Sequence, residues 1–175
     1  MSNVSRHPHR ISLATVVLDP RSDPSDREKG ETMINSREKG ADNERAVAHL
    51  FQKFGYKAER GCQHDGLSGH ADVVGVPYIW IEVKAVEKLK VEKAMQQAER
   101  DSRAYLERTG DDLLPVVIHK KNYQGWKVSM RLHDLIYLCG AAPFSVDIPD
   151  NGLVQMEWED WIKVYMVYEA ERSAG

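Results

Sequence analysis

The sequence predicts an α/β domain, because its apolar residues follow a helical period in two segments and a strand pattern between them. Residues 41–54 and 91–109 carry apolar side chains at three- and four-residue intervals, which predicts two amphipathic helices. Residues 69–84 and 114–131 carry runs of β-branched and aromatic residues broken by turn residues, which predicts paired strands. With a short strand at 56–60, the predicted order is helix, three strands, helix, two strands.

The first helix carries a carboxylate on its apolar face. Gly55 follows Phe54 and closes the apolar pattern, while Glu44 lies three residues before Val47 and shares its inward-leaning face. A glutamate in the first turn of a helix is favoured by the helix dipole. The alternative is a carboxylate directed at a functional site, and the sequence leaves both interpretations open.

The strands at 69–84 predict a hairpin that turns at residues 75–77. Side chains alternate across a strand, so Trp80, Glu82 and Lys84 share one face. Folding the hairpin brings Asp72 roughly opposite Glu82. Two carboxylates and a lysine then converge on a small volume, which suits a divalent metal. We expect the Trp80 ring to be core rather than a platform for stacking bases.

The second helix is ended by Gly110, and Gln97 borders its inner apolar stripe. Further on, residues 128–136 weakly resemble residues 154–162, and each pattern predicts a strand end that turns into a helix with Asp near its start. The last helix, at about residues 159–172, can pack on the core or on a partner subunit. The sequence does not decide between these two positions.

Length and composition predict a globular domain with a sizeable core: the chain has 175 residues, 42% hydrophobic and 29% charged. No apolar run approaches the roughly 20 residues that span a bilayer, and no signal-peptide core is present. Two cysteines are too few for a disulfide framework, so we expect the cytoplasm of a prokaryotic or phage-infected cell. These features exclude membrane-spanning and disulfide-stabilised secreted classes.

The charge is unevenly distributed along three segments. Residues 1–32 are rich in Ser, Pro, Arg and Asp, and we expect a disordered tail. Because Met33 opens a run that looks like a natural start, we hypothesise that this tail is not part of the native protein. Residues 33–142 form the predicted domain and carry 17 basic and 15 acidic side chains. The extension at 143–175 carries two basic and seven acidic side chains. The net charge of −3 is therefore weak evidence against DNA binding.

Asp72, the triplet Glu82-Val83-Lys84 and an upstream helix with Glu44 together resemble the PD-(D/E)xK nuclease superfamily. Within it the chain is similar to the archaeal and phage Holliday-junction-resolvase-like nucleases over residues 36–131. Three further motifs carry the likeness: Arg37-Glu-Lys-Gly-x-x-x-Glu44, Ser68-Gly-His-Ala-Asp72 and Gln96-Gln-Ala-Glu99. Ala71 stands where the superfamily has its proline, a position that the superfamily keeps only loosely.

The resemblance implies a restriction-endonuclease-like α/β fold, in which helices flank a central mixed β-sheet. It also implies Mg²⁺-dependent hydrolysis of DNA phosphodiesters, in which Mn²⁺ can substitute, and often a homodimer. The expected substrate is branched or junction DNA, in phage DNA recombination or repair. Mg²⁺ is preferred over Mn²⁺ on cellular availability, since both fit carboxylate and water ligands.

The predicted site residues have separate roles in this chemistry. Mg²⁺ keeps several waters and needs only one or two carboxylates, so Asp72 and Glu82 suffice, with the main-chain carbonyl of Val83 as third ligand. A metal lowers the pKa of bound water and polarises the phosphate. Lys84 can orient the attacking water or stabilise the transition-state charge. Glu44 can bind metal through water or a second ion.

Contacts with DNA are predicted less sharply. If the relatives' pattern carries over, Gln97 would hydrogen-bond near the metal-bound water or the DNA backbone, and Ser68 would contact a phosphate. Candidate phosphate contacts are the basic residues Arg37, Lys39, Lys88, Lys90, Lys93, Lys120, Lys121 and Lys127. For each of them alone, a solvated charged face explains the residue equally well.

Several alternatives remain open. A D-x9-E-x-K pattern is also a surface salt bridge on a hairpin, although burying unpaired charge among apolar residues is costly without a partner or metal. Cys62, His64 and His70 suggest zinc but lack a zinc-finger spacing. The same site also suits a nicking or restriction-type nuclease, and the fold suits a non-catalytic DNA-binding subunit.

Overall fold

The computed structural model describes residues 24–61, 70–140 and 152–174, with side chains from Ser36 onward. The chain divides into two units, residues 1–35 and 36–175. In the first unit residues 24–35 are helical. The second unit holds all the strands in the described part of the chain and the predicted site residues that the structure describes.

The described chain contains four helices and six strands. In order they are α1 Pro24–Gln52, β1 Glu59–Arg60, β2 Val73–Val74, β3 Ile79–Ala85, α2 Val91–Thr109, β4 Leu114–Lys120, β5 Lys127–Arg131, α3 Leu132–Leu138, β6 Leu153–Glu157 and α4 Trp158–Ala174. None of the helices in these described ranges is long and apolar enough to cross a membrane.

The strands form one mixed sheet in the order β1-β2-β3-β4-β5-β6. Among the described strands, only β3 and β4 form a parallel pair, because α2 carries the chain back between them. The other neighbouring strands are antiparallel. The predicted α/β fold, a mixed sheet flanked by helices in a restriction-endonuclease-like order, is confirmed. The predicted strand-to-helix transitions are also present, from β5 into α3 and from β6 into α4.

The alternation along β3 separates two hydrophobic cores. Ile79, Ile81 and Val83 face the larger core, which lies between the sheet and helices α1 and α4. Trp80 faces the smaller core under α2 and is 1% exposed, which confirms it as a core residue. The Glu82 carboxylate therefore lies on the α2 side of the sheet.

The position of the last helix is decided by its aromatic residues. Trp161 and Tyr165 are fully buried in the larger core, and their stacked rings lie 5.3 Å apart. Phe51 of α1 packs edge-on against Trp158, with ring centroids 4.8 Å apart. Helix α4 thus packs on the sheet of its own chain.

Helix α1 begins earlier than the sequence predicts, at Pro24 rather than at residue 41. Residues 24–32, expected to be disordered, are helical, while residues 1–23 lie outside the described chain. The early turns carry few apolar residues, so they give no periodic signal, although Arg27, Glu28, Lys29 and Glu31 are good helix formers. Strand β1 is conversely shorter than predicted, only Glu59–Arg60.

The hairpin turn depends on Gly75, and we predict that Gly75→Ala destabilises the protein more than Gly110→Ala. Both glycines have left-handed backbones, with φ of 81° and 82°. A Cβ on Gly110 meets nothing within 4 Å, whereas one on Gly75 would lie 2.1 Å from the carbonyl oxygen of Lys57. Gly110→Ala should cost about 1–2 kcal/mol through backbone strain alone. Gly75→Ala should cost about 3 kcal/mol or more.

Urea unfolding of the two variants measures this difference, because the strain is matched and only the steric overlap differs. Equal losses of unfolding free energy would show that the close approach of the turn to Lys57 is absent.

Candidate active site

The register of the β2–β3 hairpin brings the two predicted carboxylates together. Val73 pairs with Ile81, and the backbone N–H of Asp72 donates to the Ile81 carbonyl over 2.9 Å. Asp72 therefore lies beside Glu82, as the turn predicted. The Asp72 Oδ2 atom in turn accepts a hydrogen bond of 2.7 Å from the backbone N–H of Val83. This bond fixes the aspartate side chain against β3.

Glu82 and Lys84 lie two residues apart on the same face of β3 and form an ion pair. The Lys84 Nζ is 2.5 Å from the Glu82 Oε1. The Glu82 side chain is only 4% exposed, whereas that of Lys84 is 31% exposed. The ammonium is therefore accessible from solvent, and the carboxylate beneath it is buried.

Burial makes both carboxyl groups poor anions in the protein without metal. It raises the pKa of Asp72 to about 7, and the negative charges of Glu82 and Glu44 add to the effect. Burial also raises the pKa of Glu82, although Lys84 lowers it in part. Lys84 thus compensates only part of the negative charge. The arrangement is suited to a bound cation.

Glu44 approaches the same site from α1. Its negative charge raises the pKa of Asp72 and of Glu82. The Arg60 Nε atom pairs with the Glu44 Oε2 over 2.5 Å. Because α1 begins at Pro24, Glu44 is far from the first turn, and the interpretation as a helix-start residue is wrong. The functional interpretation of Glu44 remains a prediction.

Helix α2 brings two further polar residues to this side of the sheet. Gln97 is half-buried, and Asp101 follows it by one helical turn on the same helix face. The negative charge of Asp101 raises the pKa of Glu82. Sequence reasoning missed Asp101, although its four-residue spacing from Gln97 would have pointed to it.

The predicted DNA contacts are scattered. Six of the eight basic residues are exposed: Arg37, Lys39, Lys88, Lys90, Lys93 and Lys121. Lys120, in contrast, holds its ammonium 4.4 Å from the centroid of the Trp126 ring. Lys120 pairs with Ala85, the neighbour of Lys84 on β3, so it lies on the sheet face opposite the site. Ser68 lies outside the described residues.

No group of three or more His, Cys, Asp or Glu side chains that could hold a metal ion is found among residues 36–61, 70–140 and 152–174. Cys62 and His64, two members of the zinc hypothesis, lie outside the described chain. The donor set in the described site is thus the carboxylate pair Asp72 and Glu82. That set is sufficient for Mg²⁺ but small for zinc.

Residues 35–143 match the model of a protein family described as "Phage putative PDDEXK endonuclease". The chain belongs to this family. Membership in this PD-(D/E)xK endonuclease family confirms the superfamily that the motif predicted, and it indicates a nuclease with DNA as its substrate. The match covers the whole hairpin and α2, and it ends before β6 and α4. A search of curated proteins found no match.

We predict that Asp72→Asn stabilises the metal-free protein at high pH. The Asp72 carboxyl has a pKa of about 7 in the folded protein and an ordinary value of 3.8. The folded state therefore binds more protons than the unfolded state between these values, so stability falls as pH rises from about 4 to about 7. At pH 8 with a chelator, the variant should melt about 2–6 °C higher, equivalent to about 1–2 kcal/mol.

Calorimetry at pH 4.5 and pH 8 tests this sign, and Asp160→Asn, which removes an exposed carboxylate of α4, serves as control. An Asp72→Asn variant with no advantage at pH 8 over pH 4.5 would contradict the burial of an uncompensated charge.

Proposed function

We propose that this PD-(D/E)xK protein is a metal-dependent endonuclease that hydrolyses DNA phosphodiester bonds, with a preference for branched DNA such as Holliday junctions. The observation that carries the proposal is the half-buried Asp72 beside the buried Glu82, with Lys84 in contact with Glu82 on the accessible side. Its chemistry matches the family to which the chain belongs.

The residues fit a hard divalent cation. Asp72 and Glu82 would hold it, with the main-chain carbonyl of Val83 as a further oxygen ligand. The raised pKa of each carboxyl supports this assignment, because a nearby cation would compensate the charge that Lys84 leaves uncompensated. When bound, Mg²⁺ or Mn²⁺ supplies a polarised phosphate and a water of lowered pKa.

The chain's own residues supply positioning and charge. Lys84 can approach a phosphate or orient the attacking water, because its ammonium is partly exposed and is held at the site by Glu82. Arg60 pairs with Glu44 at the edge of the site and offsets its charge. Gln97 and Asp101 project from one face of α2. The Gln97 amide can hold water or the DNA backbone, and the Asp101 carboxylate can hold water.

The preference for branched DNA rests on the resemblance to junction-resolving nucleases, as does a homodimer, in which two sites could act on two strands. A nicking or restriction-type nuclease uses the same site on another substrate. A non-catalytic DNA-binding subunit is less well supported, because Asp72, Glu82 and Lys84 have no structural need to be kept together at a buried position.

We predict that Glu82→Gln and Lys84→Met abolish cleavage without abolishing DNA binding. Four-way junction, flap, single-stranded and linear duplex DNA are incubated with Mg²⁺ and each protein. Wild type should cut the junction fastest, and each variant should be at least about 100-fold slower, because Glu82→Gln weakens the metal site and Lys84→Met removes a positive charge at the reacting phosphate. Glu159→Gln, at an exposed position in the first turn of α4, should cut like wild type.

The panel separates the alternatives. If linear duplex is cut fastest, the result would favour the restriction-type enzyme. If only one strand is cut, it would favour the nicking enzyme. Binding without cleavage by wild type would favour the non-catalytic subunit. Equal cleavage by wild type and Glu82→Gln would show that the site is misassigned.

A further inference from the structure

A row of four polar residues crosses the sheet from the catalytic lysine towards β6. Lys84 of β3 pairs with His119 of β4, His119 pairs with Lys127 of β5, and Lys127 pairs with Glu157 of β6. Directly paired residues project from the same face of a sheet, so all four side chains lie on the face that carries Glu82. Nothing in the proposed chemistry uses the last three of these residues.

His119 is the buried centre of this row. It is 5% exposed, and its Nε2 atom lies 2.9 Å from the Ser129 hydroxyl. Burial and the positive charges of Lys127 and Lys121 lower its pKa, so the ring is neutral near pH 7. Lys127 belongs to the row, and Lys121 follows His119 by two residues, just after the end of β4. The positive charge of the row therefore comes from its lysines.

The dimensions of the row suit a nucleic acid strand. Neighbouring strands of a sheet are about 4.8 Å apart, so the backbones at Lys84 and Lys127 are about 10 Å apart. Phosphates follow one another at about 3.4 Å of axial rise along each strand of duplex DNA. A phosphate bound by Lys127 would consequently be about two or three nucleotides from the phosphate at Lys84.

Lys127 is held by a carboxylate that a phosphate could replace. Its Nζ lies 2.9 Å from the Glu157 Oε1, and the two side chains are 31% and 53% exposed. Ion pairs this exposed are weak, so exchange of one anion for another costs little. Glu157 belongs to β6, which lies outside the region matched to the family model.

We propose that DNA leaves the catalytic centre along the row Lys84–His119–Lys127, that Lys127 with Lys121 binds its backbone phosphates, and that Glu157 competes with the DNA for Lys127. This inference rests on the proposed nuclease function, since it takes DNA at Lys84 as its starting point. The competing carboxylate weakens binding beside the site.

Binding of labelled duplex and junction DNA, measured by anisotropy in chelator between 50 and 200 mM salt, tests the competition. Lys127→Gln should weaken binding about 3–10-fold at low salt and reduce the slope of log affinity against log salt by about 0.9, as expected for the loss of one phosphate contact. Glu157→Gln should tighten binding about 2–5-fold. The double variant should bind like Lys127→Gln, and Lys127→Arg should bind like wild type.

The chain contains a matched control, the exposed pair Lys163 and Asp160 on α4, whose charged atoms are 3.1 Å apart. Helix α4 packs on the opposite face of the sheet, so Lys163→Gln and Asp160→Asn make the same charge changes away from the row. Equal effects of the control and row variants would reduce the result to net charge and overturn the proposal. An unchanged affinity or salt slope for Lys127→Gln would also overturn it.

Cleavage with Mg²⁺ separates this inference from the proposed function. If wild type cuts DNA but the row variants bind DNA with unchanged affinity, only the proposed DNA path along the row is wrong. If wild type binds with the predicted differences but never cuts, the nuclease activity fails and the DNA path stands. Failure of wild type to bind any of the DNAs contradicts both.

Discussion

The site depends on the register of one short hairpin. Strand β2 has only two residues, and it pairs with β3. Two hydrogen bonds hold Asp72 beside Glu82. Its backbone N–H donates to the Ile81 carbonyl, and its carboxylate accepts from the Val83 N–H. Strand β3 is held by its seven pairs with β4, so a slip of one residue in the hairpin would turn Asp72 to the opposite face, towards the larger apolar core and away from Glu82. The carboxylate pair can exist only in this register.

The packing of the C-terminal helix stabilises that register from outside the hairpin. The Tyr165 hydroxyl of α4 donates a 2.8 Å hydrogen bond to the carbonyl of Pro77, in the turn of the hairpin. Tyr165 also stacks on Trp161 in the larger core. A helix beyond the family match thereby holds the turn that positions the carboxylates. Its aromatic burial helps to offset the electrostatic cost of the site.

The sequence was sufficient to predict those features that depend on residues close together in the chain. Helix α2 spans the predicted residues 91–109, because its apolar stripe and Gly110 define both ends. The opposition of Asp72 and Glu82 followed from the turn residues and the period of two. The predicted roles of these residues as metal ligands and catalysts are still predictions.

Features that depend on distant contacts could not be read in this way. Arg131 is buried and donates hydrogen bonds to Glu92 and Glu99 of α2. These residues are far apart in the chain and follow no periodic pattern, so the sequence does not predict their contact. The start of α1 carries no apolar stripe, so its helix was not predicted. Lys120 reads as a free surface lysine until its contact with the Trp126 ring is known. Asp101 becomes a site residue only when α2 lies over β3.

The central claim is that Asp72 and Glu82 together form the divalent metal site, and crystals soaked in Mn²⁺ test it most directly. Anomalous diffraction should show a peak within about 2–2.5 Å of a carboxylate oxygen of each residue. The same soak of Glu82→Gln crystals should lose most of the peak. A Mn²⁺ peak held only by other residues, or no peak between the two carboxylates at saturating Mn²⁺, would contradict the claim.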